Sequence, residues 1–540
     1  MSNPRSRQDA TPDKTMKTRA DISIIGGGIG GLAAGVRLAG AGHRVTLLDK
    51  NDQLGGKLNY REIPHPTRSN DRPFRFDTGP SLLTLPLVFA DLFSYVGRDI
   101  RHYLSIKKLD PVSRFVWADG ATFTMHARRA DLLNAVKQFA PGDERGFEKL
   151  LDYGQKIWNL SGEFFLTRSP EQAMRGDGAF SPLNALKMLS IPLRIGMFQK
   201  YSRIVDRDIR SQRLREVLYQ YATYSGASPF LAPATLAVIP HVELDLGAWY
   251  VEGGLYEIAR AVEKLARDLG VEIRTGCEVK RVIIDGTDAS RSKALGVVRG
   301  VELSDGTVID ADAVIVNADV VYAYQALVEA KYRRKFDDRN LAKLEPGGSG
   351  MALLLGVEGT YPQLAHHTKF MPGDYRSDLR AMFETRTIPD DPCIYVCAST
   401  RSDATQAPDG CENLFVLCSA PPLDGSIDWV REGPGYRDRI VRTLEERFGL
   451  TDLSKRIVVE RRFTPADLKA DYNANAGSIY GISGNGVKQA FLRPPNRDRD
   501  VAGLFFAGGA THPGGGLPLV ALSGKIASEL AMEYLGRSVS

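Results

Sequence analysis

The sequence has few cysteines, little surplus charge and no unbroken apolar run, and each shortage narrows what the chain can be. Its 540 residues hold five cysteines, Cys277, Cys393, Cys397, Cys411 and Cys418. A sparse, odd-numbered set in a long chain does not make a secreted disulfide framework and fits a reducing cytoplasm. Four of them stand in or beside two strand-like runs, 393–397 and 414–418, where a thiol acts as a small buried hydrophobe. Their spacing is neither CxxC nor another zinc pattern, so no metal site is expected. Basic residues outnumber acidic ones by only 70 to 65, a net +5 that does not indicate nucleic acid as a partner.

Two charge-free stretches, 220–242 and 501–524, are the nearest approach to a membrane span. The first is broken by Pro229, Pro233 and Pro240, and the second by glycines, His512 and two prolines, so neither sustains a lipid-exposed helix. The polar leader, residues 1–19, lacks the apolar centre of a secretory signal and reads as disordered. What remains is an ordinary globular composition, 43% hydrophobic and 25% charged, long enough for two or three domains.

From Asp21 the chain reads Ile-Ser-Ile-Ile, a buried-strand pattern, then Gly26-Gly-Gly28-Ile-Gly30-Gly31, then a helix with small residues on one side. A second strand, Arg44 to Asp49, ends in a carboxylate. A long, mainly helical-looking region follows from about Leu87 to Tyr224. Between Ser181 and Gln220 it carries eight basic residues against three acids, interleaved with aliphatic and aromatic side chains such as Leu186, Ile195, Phe198 and Tyr201. Strand and helix alternation resumes with a helix at 257–269, strands at 271–273 and 278–284, and a buried strand at Ala313 to Asn317. A second block rich in extended segments ends near Arg497. The buried strand Gly503 to Ala507 and a helix at about 521–534 close the chain.

Gly26-x-Gly28-x-x-Gly31, with a strand before it, a helix after it and Asp49 closing the next strand, is a dinucleotide fingerprint in its proper context. The first glycine permits the tight turn and the second lets backbone N–H groups approach a pyrophosphate. The third lets helix pack on strand, and the helix N-terminus adds partial positive charge. Gly30 belongs to the same turn. Asp49 is placed to accept from ribose hydroxyls, with Lys50 beside it. The fingerprint does not separate NAD from FAD. The second turn, Gly55-Gly56-Lys57, weighs towards FAD because it resembles the Gly-Gly-basic turn that follows the ribose acid in flavoproteins of the amine-oxidase and carotenoid-desaturase type. There Lys57 could offer a point charge to a phosphate. The distant turn Gly508 to Pro518, which would enclose one dinucleotide from both ends of the chain, weighs the same way.

Phe76-Asp-Thr-Gly-Pro-Ser81, Asn317-Ala-Asp319, Gly477-Ser-Ile-Tyr-Gly481, Arg493-Pro-Pro-Asn-Arg-Asp498 and Gly508-Gly-Ala-Thr-His-Pro-Gly-Gly-Gly-Leu-Pro518 resemble the bacterial and fungal phytoene desaturases and their carotenoid desaturase and terminal oxidase relatives. The likeness runs from about Asp21 to Leu535. It implies an α/β protein with a Rossmann-like FAD-binding domain assembled from 20–86, 225–319 and 498–540. An inserted α+β substrate domain would comprise 320–497 and a helical part, 87–224, able to contact a membrane. It also implies FAD at Gly26, Gly28, Gly30, Gly31, Asp49, Lys50, Gly56, Lys57, Val279, Gly508, Gly509, Gly516, Leu517, Pro518 and Leu519.

The implied reaction is hydride abstraction from a long polyene to introduce conjugated double bonds in carotenoid biosynthesis. Quinone or oxygen would be the electron acceptor, in a cytoplasmic enzyme held peripherally on a membrane. Gly514-Gly-Gly516, Leu519-Val520 and Leu522-Ser-Gly524 look more like late-acting relatives that oxidise terminal methyl groups or desaturate hydroxycarotenoids. A flavin amine oxidase acting on a polar substrate is the competing reading. A substrate without a polar handle is oriented by apolar burial, at about 25 cal/mol per Å², and Phe230, Leu231 and Leu236 are candidates for the tunnel wall. His512 is the proton-acceptor candidate beside the flavin turn, with bracing of that turn by hydrogen bonds the preferred role. Asp319 and Asp152 are the other acid–base candidates.

Overall fold

A computed structural model describes residues 19–162, 194–286 and 294–536, together with residues 166, 168 and 172. The leader up to residue 18 and the basic, apolar stretch at 181–193 lie outside the described residues.

The centre of the first layer is a five-stranded parallel sheet in the order Leu504–Phe506, Ala313–Val316, Asp21–Ile25, Arg44–Leu48, Glu272–Arg274. Strands from three distant parts of the chain pair here, and the inner ones are short aliphatic runs covered on both faces, while the edge strand Glu272–Arg274 stays partly exposed. All four side chains of Ala313–Val316 are buried. The helices Ile29–Gly40, Glu257–Asp268 and Leu517–Tyr534 pack together beside this sheet. The closing helix starts four residues earlier than the sequence pattern suggested, at a Leu-Pro pair suited to a first helical turn. A smaller antiparallel sheet, Val279–Gly286, Gly296–Leu303 and Val308–Asp310, is extended by a parallel edge at Val501–Ala502.

The second layer is a seven-stranded sheet in the order Ile457–Phe463, Ser349–Glu358, Cys411–Ala420, Ile394–Cys397, His367–Phe370, Ser113–Val116, Thr122–Met125. The last two strands lie within 87–224, a stretch that is otherwise mainly helical among the described residues. Ser113–Val116 and Thr122–Met125 form a hairpin whose first strand pairs in parallel with His367–Phe370, so one sheet stitches together two regions that look separate in sequence. The helices of that region, Arg129–Phe139, Glu144–Ile157, Tyr201–Asp208 and Gln212–Thr223, share a core cluster with this hairpin. The cysteines behave as core thiols. Cys397, Cys411 and Cys418 are buried, Cys393 and Cys277 half-buried, and burial pushes the Cys393 thiol up.

The charge-free stretch 220–242 breaks, as its prolines require, into the end of one helix and short turns at Ala234–Ala237 and Val238–His241. Among the described residues no helix is long and apolar enough to cross a membrane.

Candidate functional site

The site lies where the parallel sheet meets the seven-stranded sheet. Strand Asp21–Ile25 runs into Gly26, whose φ of +96° belongs to the left-handed region, and a Cβ there would fall 2.5 Å from the Asn317 carbonyl oxygen. Gly28 then caps the helix Ile29–Gly40. Asn317 follows the neighbouring strand and holds the turn. Its backbone N–H donates to Ile25 O at 2.7 Å, and its Nδ2 donates to Gly26 O at 3.1 Å. Its side chain occupies the space that Cβ atoms on Gly28, Gly30 and Gly31 would need, each of which would come within 3.2 Å of it. Sequence reasoning gave Asn317 no role beyond membership of a motif, because its partners are far away along the chain.

Asp49 sits under the same turn. Its Oδ2 accepts from Gly27 N at 2.7 Å and its Oδ1 from Asn51 N at 2.8 Å, while burial holds its carboxyl above the usual range against those two hydrogen bonds. Each oxygen keeps a further lone pair for a ribose hydroxyl. The second glycine turn is tied to the first through Gly55 N, which donates to Gly27 O at 2.9 Å. Gly55 and Gly56 both have positive φ. Lys57, which follows, reaches across the site, and its Nζ donates to Ser478 O and Ile479 O, both at 2.8 Å. Burial pulls this ammonium down to about 8, opposed by the charge of Asp319. Lys50 also makes a cross-link, donating to Ala470 O at 2.7 Å and Asn473 Oδ1 at 3.1 Å.

The carboxy-terminal turn completes the floor. Ala507 N donates to Val316 O, which places Gly508 beside Asn317. Below it Asn496 Nδ2 donates to Phe506 O, His512 O and Ser523 Oγ at 2.9–3.1 Å, and Ser523 Oγ accepts from Gly508 N at 3.1 Å. These buried polar groups form a hub that no local sequence signal announces. Above the hub, the helix Leu517–Tyr534 opens onto the same space as the helix Ile29–Gly40, so two helix N-termini converge there.

One cavity collects most of the expected residues. Gly26, Gly28, Asp49, Lys50, Gly56, Lys57, Val279, Asp319, Gly508, Gly509, Gly516, Leu517 and Pro518 all line it. Gly30 and Gly31 do not. They lie in the first helical turn and serve packing. Leu519 is half-buried and off the cavity wall, where its neighbours Pro518 and Val520 line it. The facing wall is the seven-stranded sheet, with Ala352, Tyr395, Phe415 and Leu417 among its contributors, joined by Tyr224 and Tyr480.

Five of the residues expected at the site, Asp152, Phe230, Leu231, Leu236 and His512, lie off this cavity. Asp152 pairs on the surface with Arg129, its side chain 60% exposed. Phe230 packs edge-on against Tyr219 beneath the Arg376 guanidinium, Leu231 is exposed, and Leu236 packs on the helical cluster. The prolines around them turn these side chains away from the cavity, which the stretch reaches instead through Gln220, Thr223 and Tyr224. His512 is buried off the cavity wall, and its Nε2 lies 2.9 Å from the Arg168 carbonyl oxygen. A carbonyl only accepts, so Nε2 carries the proton in that contact, which is bracing and not base chemistry. His366, His367 and Cys397 bring donor atoms within 4.8 Å of one another, because His367 and Cys397 are cross-strand partners.

Comparison with known proteins fits this geometry. A 4,4'-diapolycopene oxygenase of Methylomonas sp is 36% identical over 506 residues, covering 94% of this chain and 96% of that protein. A 4,4'-diaponeurosporene oxygenase of Staphylococcus haemolyticus is 34% identical over 508 residues, covering 93% and 95%. Among solved structures, an oxidoreductase from Methanosarcina mazei superposes with a TM-score of 0.60 at 16% identity, covering 95% of this chain and all of that one. Cyclohexylamine oxidase from Brevibacterium oxydans gives 0.59 at 16%, covering 96% and 100%. At that identity these two speak for the fold alone. Residues 29–532 match the family described as flavin containing amine oxidoreductase, and this chain belongs to that family as an FAD-dependent oxidoreductase.

Proposed function

We propose that the protein oxidises a long acyclic carotenoid, acting late in carotenoid biosynthesis at or near the end of the polyene. The observation that carries this reading is the cavity itself, a polar floor of glycine turns and helix N-termini facing a largely apolar sheet wall. The names of the relatives that match nearly the whole chain support the substrate class.

The residues present fit FAD. Gly26, Gly28 and Gly56 leave backbone bare towards the cavity, and a Cβ on Gly56 would meet the Gly28 Cα at 3.3 Å, so two turns approach one another with no side chain between them. Two helix N-termini suit a pyrophosphate and an electron-rich ring edge. When bound, FAD supplies a two-electron acceptor for hydride removal from an activated C–H bond. The protein's own task is positioning, because a hydrocarbon presents nothing to grip except shape. Tyr395, Phe415, Leu417 and Tyr480 would align the chain, and the enclosing sheet would exclude water. Asp319, held above its usual range by burial, is the one expected proton acceptor that reaches the cavity wall.

In this reading the FAD-binding part is Rossmann-like and comprises 20–86, 225–319 and 498–540, with the substrate part drawn from 87–224 and 320–497. Access from a membrane surface is supported by exposed Phe198 and Leu231 close to Lys200 and Arg203. Quinone or oxygen would reoxidise the flavin.

The test is to incubate the FAD-loaded protein with acyclic polyenes and either acceptor, and to follow the absorption band and the product mass. Terminal oxidation raises the mass, and lengthens the conjugation once it reaches the aldehyde, whereas desaturation, the second reading, lowers the mass. An unchanged product mass with every polyene and acceptor refutes both, since oxidation that stops at the alcohol raises the mass without moving the band.

A further inference from the structure

A cavity for a pure hydrocarbon has no use for a lysine, yet Lys369 lines this one. It lies in strand His367–Phe370 between its register partners Tyr395 and Phe115. Its Nζ lies 5.2 Å from the centre of the Phe115 ring and 5.3 Å from that of Tyr224. These rings favour the charge but accept no ordinary hydrogen bond. Among the described residues Lys369 has no hydrogen-bond acceptor and no ion pair within 4.0 Å.

Glu243 lines the same cavity and is 2% exposed. Its Oε1 accepts from the Tyr221 hydroxyl at 3.0 Å, and among the described residues its Oε2 has no partner at hydrogen-bond geometry, although the Tyr224 side chain lies nearby. Both groups line the one cavity, and burial lowers Lys369 and raises Glu243 while the charge of each opposes the shift of the other. Next to them the Gln220 amide meets only sulfur, Met371 Sδ at 3.0 Å and Cys393 Sγ at 3.4 Å. A buried donor and a buried acceptor left open towards the same space are costly unless a ligand satisfies them.

We infer that Lys369 and Glu243 form a recognition site for an oxygen function carried at one end of the polyene. This rests on the carotenoid reading above. Lys369 donates an N–H to the oxygen of a terminal alcohol or aldehyde. Glu243 Oε2 accepts from the alcohol alone, since an aldehyde has no proton to give. The site therefore ranks ligands as alcohol, then aldehyde, then methyl-ended hydrocarbon. It also places the protein after a reaction of the same class, one that has already oxygenated one end of the chain.

The experiment measures equilibrium binding to the FAD-loaded protein of three detergent-dispersed polyenes of equal length, ending in methyl, primary alcohol or aldehyde. The alcohol is expected to bind about tenfold or more tightly than the methyl-ended chain, as two added hydrogen bonds allow. Lys369→Met removes the advantage of the aldehyde and reduces that of the alcohol to what Glu243 alone supplies, and Glu243→Gln reduces that of the alcohol only. The bound aldehyde's absorption band moves to longer wavelength in the wild type and not in Lys369→Met, a signature that a purely structural lysine would not give. FAD content of each variant reports that it is folded. Equal affinity for all three ligands in the wild type, or an aldehyde preference that survives Lys369→Met, overturns the inference and leaves the carotenoid reading standing. Failure to bind any of the three overturns the carotenoid reading itself.

Discussion

Replacing Gly31 with alanine places a methyl carbon 2.1 Å from the Gly26 carbonyl oxygen and 3.2 Å from the Asn317 side chain. Ordinary contact is 3.4 Å or more, so the helix start must withdraw by roughly 1 Å, well beyond what a packed interior absorbs freely. That movement pulls on Asn317 Nδ2 to Gly26 O, at 3.1 Å, and Gly27 N to Asp49 Oδ2, at 2.7 Å. Overpacking costs about 1–3 kcal/mol, and two weakened hydrogen bonds add about 1 kcal/mol each. The sum, about 3–5 kcal/mol, falls on the turn that holds the dinucleotide. FAD affinity should drop roughly 100- to 3,000-fold. Gly35→Ala in the same helix is the control. Its Cβ would meet Ile24 Cδ1 at 3.5 Å, an ordinary contact, so the helix should gain about 0.5–1 kcal/mol and keep its FAD. Titrating apoprotein with FAD by fluorescence quenching measures both variants. A Gly31→Ala variant that binds FAD within about threefold of the wild type refutes the reasoning.

Lys57→Met strips the donor from two carbonyls, Ser478 O and Ile479 O. Urea unfolding should report a loss of about 2–4 kcal/mol, and an unchanged midpoint would mean water replaces the ammonium. Asn496→Ala removes the hub beneath the carboxy-terminal turn. FAD should be lost on gel filtration while the far-ultraviolet circular dichroism is retained, and full FAD retention would argue against the hub. Asp378 is buried with one carboxyl oxygen unpartnered, and burial pushes its carboxyl up to about 7. Between pH of about 4 and 7 the folded protein keeps a proton that the unfolded chain has released, so this group makes stability fall as pH rises through that window. Asp378→Asn should flatten that part of the profile relative to wild type, and an identical slope in thermal melts across the window would contradict it.

The parts of this molecule that a sequence shows plainly are those whose chemistry is local. The turn at Gly26 to Gly31 is legible because strand, glycines, helix and Asp49 follow one another along the chain. The broken character of 220–242 is legible because proline acts on its own backbone. What could not be read depends on partners far apart in sequence. The hairpin at Ser113–Val116 and Thr122–Met125 hides in a helical-looking region because its pairing strand, His367–Phe370, lies in a different block. The tunnel residues at Phe230, Leu231 and Leu236 were read from hydrophobicity, which says neither whether a side chain is buried, as exposed Leu231 shows, nor which of two adjoining spaces it faces.

The sequence by itself determined that a dinucleotide turn lies near the amino terminus and that a second glycine turn returns to it from the carboxy terminus, because glycine spacing and the flanking strand and helix patterns are local. Only the tertiary structure decided that Asn317 fills the gap left by the glycines, that His512 braces a turn, and that Lys369 and Glu243 line one largely apolar cavity. Each of these is a contact made by the pairing of distant strands, and side-chain identity carries no record of the partner it will meet.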